Sequence, residues 1–387
     1  MEPETATPER TVTFPAEAGE PAPLREPSLG SPVEPQPRDP SWAFVGPHGI
    51  RVGWLVVTFI CLFRGFDFVL GTIAVTIDPA LARTDFSPLI ALISELIPFI
   101  AMLGAGAIMI AIERCSPLEY NLSGPRPVLR FIGGLTVGFA MLSVLVASLT
   151  WGGWLHFGPV ALSGSRIFMY AAVWGLVFLM VGGLEEGIFR CYVQYTLTRG
   201  INFWWALAAV CGFCLYGFVF NNNQSTWGVD ALAALGLVPC LLLHLNKTAG
   251  ASFWQAAWAG STGFGFVHTF NNGETWLGIF CAAFIGFVFC VSIRVTGSAW
   301  WAIGCHSAWD WAETYFYGTA DSGMVAKGHY LTTFPAGNPL WSGGADGPEG
   351  SLLVLPVILL MLALLLLIYR RRDTAQLHAP AAEPLVS

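Results

Sequence analysis

The sequence predicts an all-α polytopic membrane helix bundle of about ten spans, on three observations. Only 11% of its 387 residues are charged and 55% are hydrophobic, whereas a soluble domain carries roughly 25% charged residues. Apolar runs recur along the chain, each close to the ~20 residues that cross a bilayer. Lys and Arg alternate unevenly between successive loops, as in chains threaded through a membrane.

Residues 1–50 hold 11 of the 25 prolines and no apolar stretch. Such a composition cannot bury a core, so a disordered cytoplasmic tail is expected there. A membrane bundle follows over 51–315, with spans at about 53–77, 88–112, 131–152, 167–190, 203–220, 228–245, 253–270, 276–295 and 297–315. The Gly-, Pro- and Asp-containing segment 316–350 reads as an extracytoplasmic loop. A final Leu-rich span at 351–369 ends in Tyr369-Arg370-Arg371-Arg372 and reads as an anchor without chemistry, followed by a cytoplasmic tail at 370–387.

The charge pattern orients this arrangement. With the N-terminus inside and the spans alternating, 14 of the 18 Lys and Arg residues fall on the cytoplasmic side. Arg83, Arg166 and Lys327 fall outside, and Arg64 lies within the first span. The positive-inside rule then gives an integral multi-pass protein, expected in the cell membrane, with both termini cytoplasmic. There is no long basic run, which argues against nucleic acid as a partner. The nine cysteines form no disulfide framework; Cys211 and Cys214 make a CxxC inside an apolar span and read as packing.

Ionisable groups inside spans cost about 2.5–3.5 kcal/mol each, so they mark functional positions. The first cluster is Glu185-Glu186-Gly187-Ile188-Phe189-Arg190. Four residues apart on a helix, Glu186 and Arg190 share a face and can pair, while Glu185 points about 100° away and can face a cavity. The second is Phe264…His268. The third is His306…Asp310, with Glu313 three residues further on. Together they supply carboxylates and two imidazoles, a set able to activate a water and stabilise an oxyanion.

These clusters resemble the EExxxR, FxxxH and HxxxN/D motifs of the type II CAAX protease and bacteriocin-processing (CPBP) family of intramembrane glutamic endopeptidases. The order is the same, and the resemblance covers about residues 166–313. It implies an eight-span core, here with an inserted pair of spans at about 203–220 and 228–245. His244, inside that insertion, lacks a phenylalanine four residues earlier, so His268 is the better match. The third motif ends in Asp310 rather than Asn. An ionised aspartate cannot donate to an oxyanion, so Asp310 is either protonated or orients His306 or a water.

The resemblance implies hydrolysis of a peptide bond in a peptide or membrane-protein tail, reached from the cytoplasmic side or from lipid. Glu185 with His268 would activate water, His306 and Asp310 would stabilise the oxyanion, and Glu186, Arg190 and Phe264 would support them, without a cofactor. Three alternatives stay open. One is a metal-dependent protease with His268, His306 and Glu185 as ligands, and with Asp310 and Glu313 in reach. The second is a transporter lined by Arg64, Asp67 and Glu95, and the third a non-catalytic immunity protein.

Overall fold

The computed structural model describes residues 44–46, 49–82, 86–220, 226–271 and 273–369. The tail expected before residue 44, the basic run Arg370-Arg371-Arg372 and Arg83 lie outside the described residues. Val45–Gly46 (β1) pairs antiparallel with Gly49–Ile50 (β2) immediately before the first helix.

The protein is an all-α polytopic bundle. Its long helices are α1 (Val52–Ile77), α2 (Pro88–Glu113), α3 (Pro127–Trp151), α4 (Ser165–Glu186), α5 (Phe203–Phe220), α6 (Trp227–Leu245), α7 (Ala251–His268), α8 (Trp276–Thr296), α9 (Trp300–Asp310) and α10 (Val354–Tyr369). Two continue through a wider π turn: α4 through Gly187–Val193 and on to Thr198, and α9 through Trp311–Tyr317. Among the described residues, seven helices are long and apolar enough to cross a membrane, namely α1 to α6, with α4 counted through Thr198, and α8. The helices α7 and α9, which carry the two histidine motifs, are more polar and fall outside that group.

Hydrogen bonds between loops sort them into two ends. At one end Leu155–Phe157 (β3) pairs with Thr333–Pro335 (β6), Lys327 N–H donates to the Phe86 carbonyl, and Thr275 N–H donates to Asp346. At the other, Ala299 N–H donates to the Asn121 carbonyl, Trp300 Nε1 donates to the Leu122 carbonyl, and Arg199 pairs with Glu113. The chain thus crosses the bundle at each helix. Arg114, Arg126 and Arg199 gather at the second end, while Lys327 lies at the first.

Small residues set the tightest helix contact. A Cβ at Gly134 or Gly138 of α3 would overlap the backbone of Trp301 or Cys305 on α9, and one at Gly304 would overlap Phe131. Without side chains in the way, the two backbones lie almost against each other, a packing that replaces hydrophobic drive inside lipid. The main core forms around this contact, with Leu142, Leu145 and Leu149 of α3, Val288 and Phe289 of α8, and Trp301 of α9. The last helix does more than anchor. It buries Val357, Ile358, Met361 and Leu365 in the same core, and its Tyr369 ring lies 4.4 Å from the Arg130 guanidinium.

The segment between α9 and α10 is folded rather than an open loop. Besides β6 it forms a two-residue hairpin, Ala320–Asp321 (β4) with Met324–Val325 (β5), and a short 3-10 turn at Pro348–Gly350. Its carboxylates reach back to the bundle. Asp321 accepts from Thr314 Oγ1 at 2.7 Å, Glu349 from Trp309 Nε1 at 2.7 Å, and Asp346 from Thr275 Oγ1 at 2.7 Å.

Candidate active site

The site is built outward from a buried ion pair. Glu186 and Arg190 are 0% and 1% exposed, with Arg190 Nε 3.2 Å from Glu186 Oε2. A buried charge needs compensation from every side. Arg190 receives it from three rings: its guanidinium lies 4.1 Å from the Phe264 centroid, 5.5 Å from Phe289 and 5.7 Å from Phe189. Such cation–π contacts strengthen when desolvated. Gly286 makes room for this arrangement, since a Cβ there would overlap Arg190 Nη2. The π turn that carries Arg190 is tied down from outside, where Asn121 Nδ2 donates to the Arg190 carbonyl at 2.7 Å. Single π turns of this kind occur often at functional positions.

Glu186 also reaches forward. Its Oε1 lies 2.9 Å from His306 Nδ1 on α9. A carboxylate paired with arginine only accepts, so Nδ1 carries a proton and donates. That fixes the ring and turns Nε2 toward Glu185 and Asp310, at 3.8 Å from Glu185 Oε2 and 3.5 Å from Asp310 Oδ2. The ring is stacked on Phe289, with centroids 5.8 Å apart, and meets the edge of Phe264 at 6.2 Å. The approach of α4 to α9 again depends on a glycine, because a Cβ at Gly182 would overlap Ser307 beside His306.

His268 ends α7. Its Nδ1 lies 2.8 Å from the Phe264 carbonyl one turn back. A carbonyl only accepts, so Nδ1 holds the proton and Nε2 is left free for other work.

All four of Glu185, His268, His306 and Asp310 line one cavity of about 330 Å³. The resemblance pairs Glu185 with His268 to activate water; both line the cavity, and the imidazole within 4 Å of Glu185 is that of His306. Glu185 Oε2 is buried and accepts no hydrogen bond among the described residues, while the side chain as a whole is 30% exposed. Arg64 and Asp67 pair with each other at 3.0 Å on α1 and take no part. Glu313 is fully buried and does not line the cavity.

Three carboxylates of the cavity wall were not assigned to the site from sequence. Glu95 of α2 was visible as a lone carboxylate within a span, but nothing in its neighbours pointed to this cavity. Asp321 and Glu349 arrive from the folded segment between α9 and α10. Loss of hydration pushes both of these carboxyls above the usual carboxylate range. Nearby Asp346 is pushed up to about 7, first by burial and then by the charge of Glu274, against the bonds from Thr275 that lower it.

Comparison with known families gives one match, over a stretch that contains the second and third motifs. The Rce1-like family (type II CAAX prenyl endopeptidase Rce1-like) matches residues 236–312. Over that stretch the chain is similar to the Rce1-like family. The match holds Phe264, His268, His306 and Asp310 and spans about a fifth of the chain; Glu185, Glu186 and Arg190 precede it. This is consistent with the CPBP resemblance of the three motifs. Neither the curated proteins nor the solved structures give a match. Among the described residues, no group of three or more His, Cys, Asp or Glu side chains is arranged to hold a metal ion.

Proposed function

We propose that this chain is an intramembrane endopeptidase that hydrolyses a peptide bond with a water activated by Glu185. The observation that carries this reading is the meeting of Glu185, Asp310 and His306 Nε2 on the wall of a cavity that His268 shares. The Glu185 carboxylate lines the cavity on a side chain that is 30% exposed and can take a proton there. Water attacks the carbonyl carbon as its proton passes to Glu185, and negative charge develops on the carbonyl oxygen. Collapse breaks the C–N bond, and Glu185 returns the proton to the leaving nitrogen.

His268 offers Nε2 as acceptor for the second hydrogen of the water. His306, held by Glu186, donates to the oxyanion when Nε2 is protonated. Asp310 orients that ring, or donates itself when protonated. Glu186, Arg190 and Phe264 are positioning residues. The buried ion pair fixes the His306 ring, and Phe264 supplies both the face that covers Arg190 and the carbonyl that fixes His268.

The substrate is a peptide or a membrane-protein tail. The cavity borders the loops at the Lys327 end. The arginine-rich end is the cytoplasmic one by the positive-inside rule. Access is therefore from the opposite end or laterally from lipid, rather than from the cytoplasmic end.

The test is cleavage of a peptide library by the purified protein beside Glu185→Ala. Cleavage by wild type and at least a hundredfold loss in the variant are expected. Equal cleavage by both overturns the role of Glu185; ion flux in liposomes that survives Glu185→Gln, without cleavage, supports a transporter instead. Addition of a chelator is expected to leave cleavage unchanged. Loss with chelator and recovery with zinc would assign His268, His306 and Glu185 as metal ligands.

A further inference from the structure

A second pocket lies at the other end of the bundle, away from the candidate active site. It has a volume of about 460 Å³ and sits where α6 ends and α7 begins. His244, Lys247, Thr248, Ser252 and Gln255 supply its polar lining, and no Asp or Glu lines it.

Three features point to an anion there. The first is the N-terminus of α7, an 18-residue helix whose N-cap is Gly250 in the left-handed region (φ 77°), with no side-chain cap. The Ala251 and Phe253 N–H groups already donate to the Thr248 and Gly250 carbonyls; the helix dipole and the remaining first-turn N–H favour negative charge at such a position. The second is Lys247, exposed at the rim beside His244, whose ring stacks on Phe203 with centroids 5.7 Å apart. The third is Gln255. It is only 2% exposed, lines the pocket, and makes no hydrogen bond to another side chain or to the backbone among the described residues. A ligand with acceptor oxygens would satisfy its two N–H groups.

The geometry points to a binding site for a phosphate group, held by Lys247, His244, the Gln255 amide and the N-terminus of α7. The surroundings are those of a membrane interface. Trp204, Trp205, Leu242 and Leu245 are exposed nearby on the same end of the bundle, in keeping with the aromatic belts found at headgroup level. Seated in this pocket, an anionic lipid headgroup would place its phosphate among these donors and its acyl chains along α5 and α6. A soluble phosphate would use the same donors without the chains.

The test uses the purified full-length protein in detergent, with three probes: phosphatidylglycerol, diacylglycerol with the same chains, and inorganic phosphate. Retained lipid is read by native mass spectrometry and stabilisation by thermal melting. Retention of phosphatidylglycerol but not diacylglycerol is expected, with at least a tenfold loss of affinity in Lys247→Glu and in Gln255→Leu. Stabilisation by inorganic phosphate that is lost in the same variants, with no retained lipid, supports the site and assigns it to a soluble phosphate. Equal retention of diacylglycerol, or binding unchanged in both variants, overturns the proposal. Lys247 is exposed, so its variant keeps the test decisive even if Gln255→Leu does not fold.

Discussion

Nδ1 of His306 lies 2.9 Å from Oε1 of Glu186, joining two helices across 120 residues of sequence. The same carboxylate pairs with Arg190, so one buried group carries both the charge balance of the site and the orientation of its imidazole.

Glu186→Gln separates those two duties. The amide oxygen can still accept from His306, but Arg190 is left as an uncompensated buried cation. A stability loss of about 3–5 kcal/mol is expected for breaking such a pair from one side. Adding Arg190→Leu to Glu186→Gln should recover a good part of it. Chemical denaturation in detergent reads both variants. A single variant within ~1 kcal/mol of wild type, or a double variant no better than the single, would show the pair to be energetically idle.

Asp310 sits where the resembled motif often has Asn. An asparagine amide donates to an oxyanion without a proton having to be added first. Asp310→Asn is therefore expected to keep peptidase activity within about tenfold of wild type and to flatten its dependence on pH. Asp310→Ala should lose about a hundredfold or more, as for removal of an oxyanion donor. Steady-state cleavage from pH 5 to pH 9 distinguishes them. Full activity in Asp310→Ala would remove this residue from the mechanism.

The α3–α9 contact predicts a position-specific cost for a single methyl group. Gly138→Ala drives a Cβ into the Cys305 carbonyl, and overpacking of this kind costs about 1–3 kcal/mol. Gly106→Ala on α2 meets nothing within 4 Å and should be neutral or slightly stabilising. Thermal melting of the two variants beside wild type is the measurement, and equal melting temperatures would contradict the close approach of α3 and α9.

Asp346 gives the folded segment between α9 and α10 a pH signature. Its folded value of about 7 lies above the ordinary 3.8. A raised carboxyl binds its proton more tightly when folded, so its contribution is fully present below about pH 4 and is lost as the pH rises through about 7. In that window stability should fall with a slope of up to about 1.4 kcal/mol per pH unit from this group. Asp346→Asn should remove that part of the slope. Unfolding measured from pH 4 to pH 8 tests it, and an unchanged slope in the variant would assign the dependence to other groups.

Much of the bundle was legible because span length and apolar character are written locally in the chain. The expected spans fall on helices α1 to α10 with shifts of a few residues. The largest error is at α4, which the sequence ends near Arg190 and the structure carries to Thr198. Arginine reads as the end of a span, yet Arg190 is buried among three phenylalanine rings that come from α4 itself, α7 and α8. The pairing of Glu186 with Arg190 was also legible, being set by helical spacing.

The placing of His306 within 4 Å of Glu185 was not. Which imidazole stands beside it depends on how far α7 and α9 are displaced along α4, and no local pattern records that displacement. The contribution of Asp321 and Glu349 was hidden for a similar reason. A carboxylate in a Gly- and Pro-containing loop looks solvated until the loop is folded against the bundle.

The wide turn at Gly187–Val193 has a consequence for how α4 serves its neighbours. Bonding from i to i+5 admits one residue more than an ordinary helical turn, which offsets everything after it by one position, about 100° of rotation. Before the offset, Glu186 meets His306 on α9; after it, Gln194 donates to the Phe253 carbonyl on α7 at 3.0 Å. A single rod thereby keys into two partners that an unbroken helix could not address in the same register. Deleting one residue from the turn would keep the rod and lose one of the two locks.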